Sequence, residues 1–226
     1  MSNPLKRYEI ILGAIYAALQ FLVLPVALSF ANLYWDLPLW MLNVILFCLN
    51  FLFMVAILHR FVGNALVDAV KNPWRTLRYA GTALVLYFLV NFFLSYNIMG
   101  LFPEYMNLNN ESVADMALEG GIYMTASAVF LVPVAEELMF RGLVFRGIYE
   151  KNPKLAWIVS VFLFSAVHVV GYVGEYQPVM LLVALVQYLP AGIFLNYAYY
   201  RSGNIIAPML MHMAINQIAM SVTMMS

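Results

Sequence analysis

From Leu37 to Leu58 the chain carries no charged side chain, and apolar runs of this kind recur along most of its length. A stretch of about 20 such residues is long enough to cross the hydrocarbon core of a bilayer as a helix. A helix is the segment type that satisfies its own backbone hydrogen bonds in lipid. Strands of a membrane barrel would alternate apolar and polar residues, and that alternation is missing here. Composition agrees. The chain is 65% hydrophobic and 10% charged, whereas soluble domains average about a quarter charged residues. The fold class is all-α, a polytopic transmembrane helical bundle.

The runs predict about seven transmembrane helices, approximately 8–31, 38–61, 79–99, 120–143, 155–173, 178–200 and 204–225. Between the second and third, Val62 to Arg78 reads as an amphipathic stretch lying at the interface. Between the third and fourth, Pro103 to Glu119 reads as an acidic loop. With this assignment all eleven Lys and Arg residues fall at one end of the bundle. Asp36, the acidic stretch and Glu175 fall at the other. The positive-inside rule then gives a cytoplasmic N-terminus and an external C-terminus. Lys6, Arg7 and the apolar run that follows could imitate a signal peptide ending near Ala27-Leu-Ser29, but that run is longer than a usual signal core. An uncleaved first helix is expected, in one domain spanning 1–226. No glycine-rich phosphate loop or basic nucleic-acid face is present, so nucleic acid is not an expected partner. Cys48 lies within an apolar run and reads as a small buried hydrophobe.

One apolar run is interrupted in an expensive way. Glu136 and Glu137 stand side by side in Leu131-Val-Pro-Val-Ala-Glu-Glu-Leu-Met-Phe-Arg141. A charge at mid-membrane costs roughly 2.5–3.5 kcal/mol on insertion scales and normally faces a cavity or a partner. Residues four apart share a helical face, so Glu137 and Arg141 can pair while Glu136 points about 100° away. Glu136 is therefore the acid left to accept a proton from water, and Glu137 is the structural partner of Arg141. Pro133 frees the carbonyl of Val129 and should kink the helix just before the acids.

Two later helices supply more polar groups. Phe164 and His168 share one face of the fifth, and His212 and Asn216 share one face of the seventh. His168 alone reads more readily as a hydrogen-bond former between helices than as a catalytic group. An Asn amide beside a His is a plausible donor pair for an oxyanion. His59, next to Arg60, reads as interfacial. Gln20, Asn43, Asn50, Asn91, Gln187 and Asn196 read as hydrogen-bond formers between helices. The signatures HExxH, a serine nucleophile elbow and GxGD are all missing. Ser165 has no motif that supports it as a nucleophile, so direct attack by activated water fits better than covalent catalysis.

The run Glu136-Glu-Leu-Met-Phe-Arg141-Gly resembles the EExxxR motif of the CAAX protease and bacteriocin-processing (CPBP, or Abi) intramembrane proteases. Phe164-Ser-Ala-Val-His168 resembles their FxxxH motif, and His212-Met-Ala-Ile-Asn216 their HxxxN motif. The likeness covers roughly 120–220, the catalytic core of such a protein. It implies an intramembrane endopeptidase, similar to type II CAAX prenyl endopeptidases, whose site opens toward the cytoplasm. It also implies that Glu136 and His168 activate the water while His212 and Asn216 stabilise the oxyanion, with Glu137, Arg141 and Phe164 in support. Members are often labelled metalloproteases. Glu136, His168 and His212 could bind Zn²⁺, yet they suit metal-free glutamate catalysis equally, and no cofactor is then required. The expected partners are the lipid bilayer and a membrane-associated peptide or protein substrate. A chain this short points to a bacterial member, for which bacteriocin maturation, immunity or signalling are candidate roles. A non-catalytic immunity or scaffold protein of the same fold, and a proton-coupled transporter, are the alternative readings.

Overall fold

The computed structural model describes residues 5–224, and within them every regular element is helical. Helix α1 (Arg7–Leu22) and α2 (Leu24–Trp35) are joined at Val23 with a bend of 46°. The single helix expected over 8–31 is broken because Pro25 has no N–H and its ring clashes with the preceding turn. Beyond Asp36, α3 (Leu39–Ile57) crosses back. Helix α4 (His59–Lys71) buries Phe61 and Ala65 and exposes Leu66, Val67 and Val70, as an interfacial amphipathic helix would. The long α5 (Pro73–Leu101) follows.

The acidic stretch is where expectation and structure part. Residues 108–119 are not a loop but the first half of α6 (Leu108–Ala126). Asn107 caps it, its side chain accepting from the amide of Asn110 at 3.1 Å, and Glu111 sits in the first turn. Both favour a helix start, a signal that acidity and a neighbouring proline had masked. At Gly121 the backbone takes φ 54° and ψ −134°, a region essentially restricted to glycine, and α6 turns there. A Cβ at Gly120 would lie 2.7 Å from the Trp40 ring, so α3 packs directly on this backbone.

The chain continues helically through a π segment (Ser127–Leu131), α7 (Val132–Glu137), a second π segment (Leu138–Phe145) and α8 (Arg146–Tyr149). The kink expected from Pro133 thus takes the form of widened turns on both sides of the two glutamates. Such turns recur at functional sites because they re-aim side chains without breaking the helix. Helix α9 (Pro153–Val167) ends earlier than the expected 173. At 1.5 Å per residue it spans about 22 Å, short of the roughly 30 Å hydrocarbon core. Its C-cap, His168, therefore stops inside the bundle. After a 3₁₀ turn (Val170–Tyr172), α10 (Pro178–Ser202) and α11 (Ile206–Thr223) complete the fold.

Among the described residues α3, α5 and α10 are each long and apolar enough to cross a membrane, and the bent α1–α2 pair makes a fourth candidate. The remaining segments expected to cross are also helical but shorter or less apolar. Large side chains such as Phe30, Phe92 and Ile158 are exposed around the outside, which water would penalise and lipid would not. The protein is an all-α helical membrane bundle.

The bundle has two chemically distinct ends. At one, Arg201 stacks on Tyr79, Tyr149 meets Tyr200, and Asn204 bonds the carbonyl of Ala65 at 2.9 Å and Asp68 at 2.6 Å. These contacts gather α4, the start of α5, the 146–154 connection and the α10–α11 turn, with their Lys and Arg residues. At the other end Trp40 meets Gly120, Tyr105 stacks on Tyr176, and the Tyr176 hydroxyl accepts from the amide of Leu108 at 2.8 Å. The acidic residues of 104–119 and Glu175 lie at this end.

Candidate active site

Glu137 is fully buried and binds two partners through one oxygen. Its Oε1 accepts from Arg141 Nη1 at 3.0 Å and lies 2.8 Å from His212 Nδ1. The first bond is the one its spacing along the helix predicts. The second joins α7 to α11 and could not be read from spacing. Arg141, also fully buried, is satisfied on every side. Its Nε donates to Asn196 Oδ1 at 3.0 Å, its Nη2 to the carbonyl of Gly192 at 3.1 Å, and its guanidinium lies 4.5 Å from the centre of the Phe164 ring. A buried cation persists under these terms, paired and hydrogen-bonded throughout.

The small residues Ala191, Gly192 and Ala198 let α10 come close enough for this. A Cβ on Gly192 would already stand 3.1–3.4 Å from Val161 of α9. Ser160 Oγ lies 3.0 Å from Asn196 Oδ1 and 3.1 Å from the carbonyl of Phe140, and its single hydrogen serves one of them at a time. Asn196 was legible only as a hydrogen-bond former. Its role as acceptor for Arg141 depends on the register between the second π segment and α10, which no local pattern encodes.

Glu136 points the other way, as expected from one residue's rotation. Its Oε2 has no hydrogen-bond partner. It stands 3.9 Å from His168 Nε2 and 3.8 Å from His212 Nε2, too far for direct bonds but converging on one point. The ring orientations follow from the far nitrogens. His168 Nδ1 lies 2.8 Å from the carbonyl of Phe164, so it must donate. The Nε2 lone pair is then directed away from its own helix. His212 Nδ1 is similarly committed to Glu137. The His168 ring is held between Phe164 at 4.7 Å and Tyr188 at 4.5 Å, and Phe164 also abuts His212 at 5.6 Å. Tyr188 was missed in the sequence, where an aromatic on an apolar helix carries no distinguishing signal.

Asn216 lies one turn from His212 and donates from Nδ2 to the carbonyl of Ala128 at 3.0 Å. The structure thus brings Glu136, Glu137, Arg141, Phe164, His168, His212 and Asn216 into one cluster. His59 lies outside it on α4, bonded to the carbonyl of Ala56 at 2.9 Å. Ser165 is buried and does not line the cavity. Among the described residues no group of three His, Cys, Asp or Glu side chains is found that could hold a metal ion.

A cavity of about 290 Å³ adjoins the cluster, lined by Glu136, His168, His212 and Asn216 and extending to Asn91, Asn107 and Gln187. It runs toward the acidic end of the bundle. In the other direction Arg141, Phe145, Leu195 and Tyr199 are buried to 2% exposure or less and seal the cluster from the cationic end.

Residues 118–218 match the family described as "Type II CAAX prenyl endopeptidase Rce1-like". An Escherichia coli protein described as an "Uncharacterized 24.3 kDa protein" is 31% identical over 103 residues, covering 44% of this chain and 44% of that protein. The chain therefore matches less than half the length of that relative. No solved structure matches the chain. Residues 118–218, which carry every member of the cluster, are thus the part of the chain that is similar to the Rce1-like type II CAAX prenyl endopeptidases.

Proposed function

We propose that this cluster hydrolyses peptide bonds of membrane-associated peptides or proteins. The observation that carries the reading is the convergence of Glu136 Oε2, His168 Nε2 and His212 Nε2 on one point beside the cavity. A water held there by Glu136 and His168 gives its proton to the Glu136 carboxylate while its oxygen attacks the scissile carbonyl. The negative charge that develops on the carbonyl oxygen is taken up by His212 and by the second N–H of Asn216, whose first is committed to Ala128. Glu136 then returns the proton to the departing amine.

His212 can donate from Nε2 only as an imidazolium, because its Nδ1 hydrogen is committed to Glu137. The cluster suits that form. It holds two carboxyls and one guanidinium, so one further proton makes it neutral in a buried setting. Glu137 and Arg141 act through His212, fixing its ring and balancing its charge, and Phe164 packs beneath both. The reading extends to a single domain whose core is 120–220, with neither metal nor other cofactor required. The test is substrate trapping with full-length Glu136→Gln in membranes, followed by identification of the bound peptide. Wild-type cleavage that survives prolonged chelation and zinc-free purification supports the metal-free route. Cleavage by Glu136→Gln at the wild-type rate, or a His168→Ala variant with unchanged activity, overturns the catalytic assignment in favour of a scaffold.

A further inference from the structure

We propose that the substrate enters from the membrane face opposite the cations, the external face, as an extended and uncharged stretch of polypeptide bound through its backbone. This rests on the hydrolytic reading and adds the side of access and the chemical class of the substrate.

The direction comes from the cavity walls. Along α11 the lining runs from His212 through Asn216 to Thr223, about 16 Å at 1.5 Å per residue. That progression leads away from the α10–α11 turn, where Arg201 and Asn204 mark the cationic end. Along α5 the lining is Tyr87 and Asn91, again in the half remote from Arg75 and Arg78. No Lys or Arg lines the cavity, and neither α4 nor α8 contributes to it. The segments that do border its far part are the α5–α6 connection and the start of α6, at the acidic end. Lys and Arg residues mark the cytoplasmic ends of membrane helices, so this cavity faces outward.

The class of substrate comes from the chemistry of the same walls. Beyond the cluster the polar lining is mainly carboxamide, from Asn91, Asn107, Asn109, Asn110 and Gln187. Asn107, Asn109, Asn110 and Gln187 are held in place by one another and by tyrosines. Tyr105 and Asn107 both donate to Gln187 Oε1, at 2.6 and 2.8 Å, and Tyr188 donates to Asn107 Oδ1 at 3.0 Å. A carboxamide both donates and accepts, as a peptide unit does, and so matches a backbone whatever its side chains. Beyond the cluster the lining offers no carboxylate or cation to pair with a charged side chain, and burying an unpaired charge is costly. Tyr188 links the two regions, since its ring stacks on His168 while its hydroxyl anchors the amides.

The test uses the full chain in membranes with Cys48 replaced by Ala. A single cysteine is introduced at the far end of the cavity by Thr223→Cys, or at the exposed cationic end by Trp74→Cys, and a membrane-impermeant thiol reagent is applied. In spheroplasts the Thr223→Cys variant should react at least ten times faster than the Trp74→Cys variant, and in inverted vesicles the order should reverse. Two single-span reporters carry the same uncharged segment on the external or the cytoplasmic side. Only the external reporter should be cut in a Glu136-dependent way, and placing a Lys within its segment should slow cutting at least tenfold. Labelling of the Thr223→Cys variant from inverted vesicles alone, or from neither side, overturns the direction. Cutting of the cytoplasmic reporter alone, or indifference to the Lys, overturns the substrate. Outward labelling with no Glu136-dependent cut of either reporter refutes hydrolysis itself, and the substrate class with it.

Discussion

Replacing either member of the adjacent glutamate pair by glutamine should separate chemistry from architecture. Glu137 Oε1 is shared by Arg141 at 3.0 Å and His212 at 2.8 Å, all three side chains being buried. Glu137→Gln leaves Arg141 as a buried charge without its counter-ion, a change that costs about 3–5 kcal/mol. For a chain of this size each kcal/mol moves the thermal midpoint by about 2–4 °C, so a fall of about 6–20 °C is expected. Glu136 Oε2 has no hydrogen-bond partner to lose. Glu136→Gln should therefore shift stability by no more than about 1 kcal/mol, or about 4 °C. Its activity should nevertheless fall by about 100- to 10,000-fold, the range for loss of a general base. The assay is a thermal unfolding profile of each purified variant in the same detergent or lipid, beside cleavage of a trapped substrate peptide. Equal destabilisation by the two variants, or an active Glu136→Gln, would refute the division of labour.

Asn196→Ala removes an acceptor from Arg141 and should cost about 1–3 kcal/mol, seen as a lower thermal midpoint. Gly121→Ala forces a Cβ onto a backbone at φ 54° and ψ −134°, which should cost about 1–3 kcal/mol by the same measurement. Asp68 lies on the interfacial helix. Burial opposes its ionisation, but the amides of Asn204 and Asn72 and the Arg75 guanidinium outweigh this and hold its carboxyl below the usual range. A lowered folded-state value means that the stabilisation is complete above the ordinary carboxylate range and is lost as pH falls through the lower value. The gap in thermal midpoint between wild type and Asp68→Asn should thus be open at neutral pH and close on acidification; a gap that widens in acid would contradict the contact.

The sequence by itself determined the helical membrane class, because runs such as 37–58 leave the backbone no other way to satisfy its hydrogen bonds in lipid. It also determined the pairing of Glu137 with Arg141, since four-residue spacing is a property of one helix. The same rule put Phe164 with His168 and His212 with Asn216. Where several local signals competed, the sequence was less legible. The charges of 103–119 hid a capped helix, and the ends of α1 and α9 moved at Pro25 and His168. Only the tertiary structure decided how the separate helices meet. It placed His212 against Glu137, gave Arg141 its acceptors on α10, set Tyr188 on His168 and oriented the cavity toward the acidic end. The physical reason is that side-chain periodicity fixes which residues share a face within a helix. Depth, rotation and register between helices are fixed by packing, here by Gly192 against Val161 and Gly120 against Trp40, and that is a property of pairs of segments far apart in the chain.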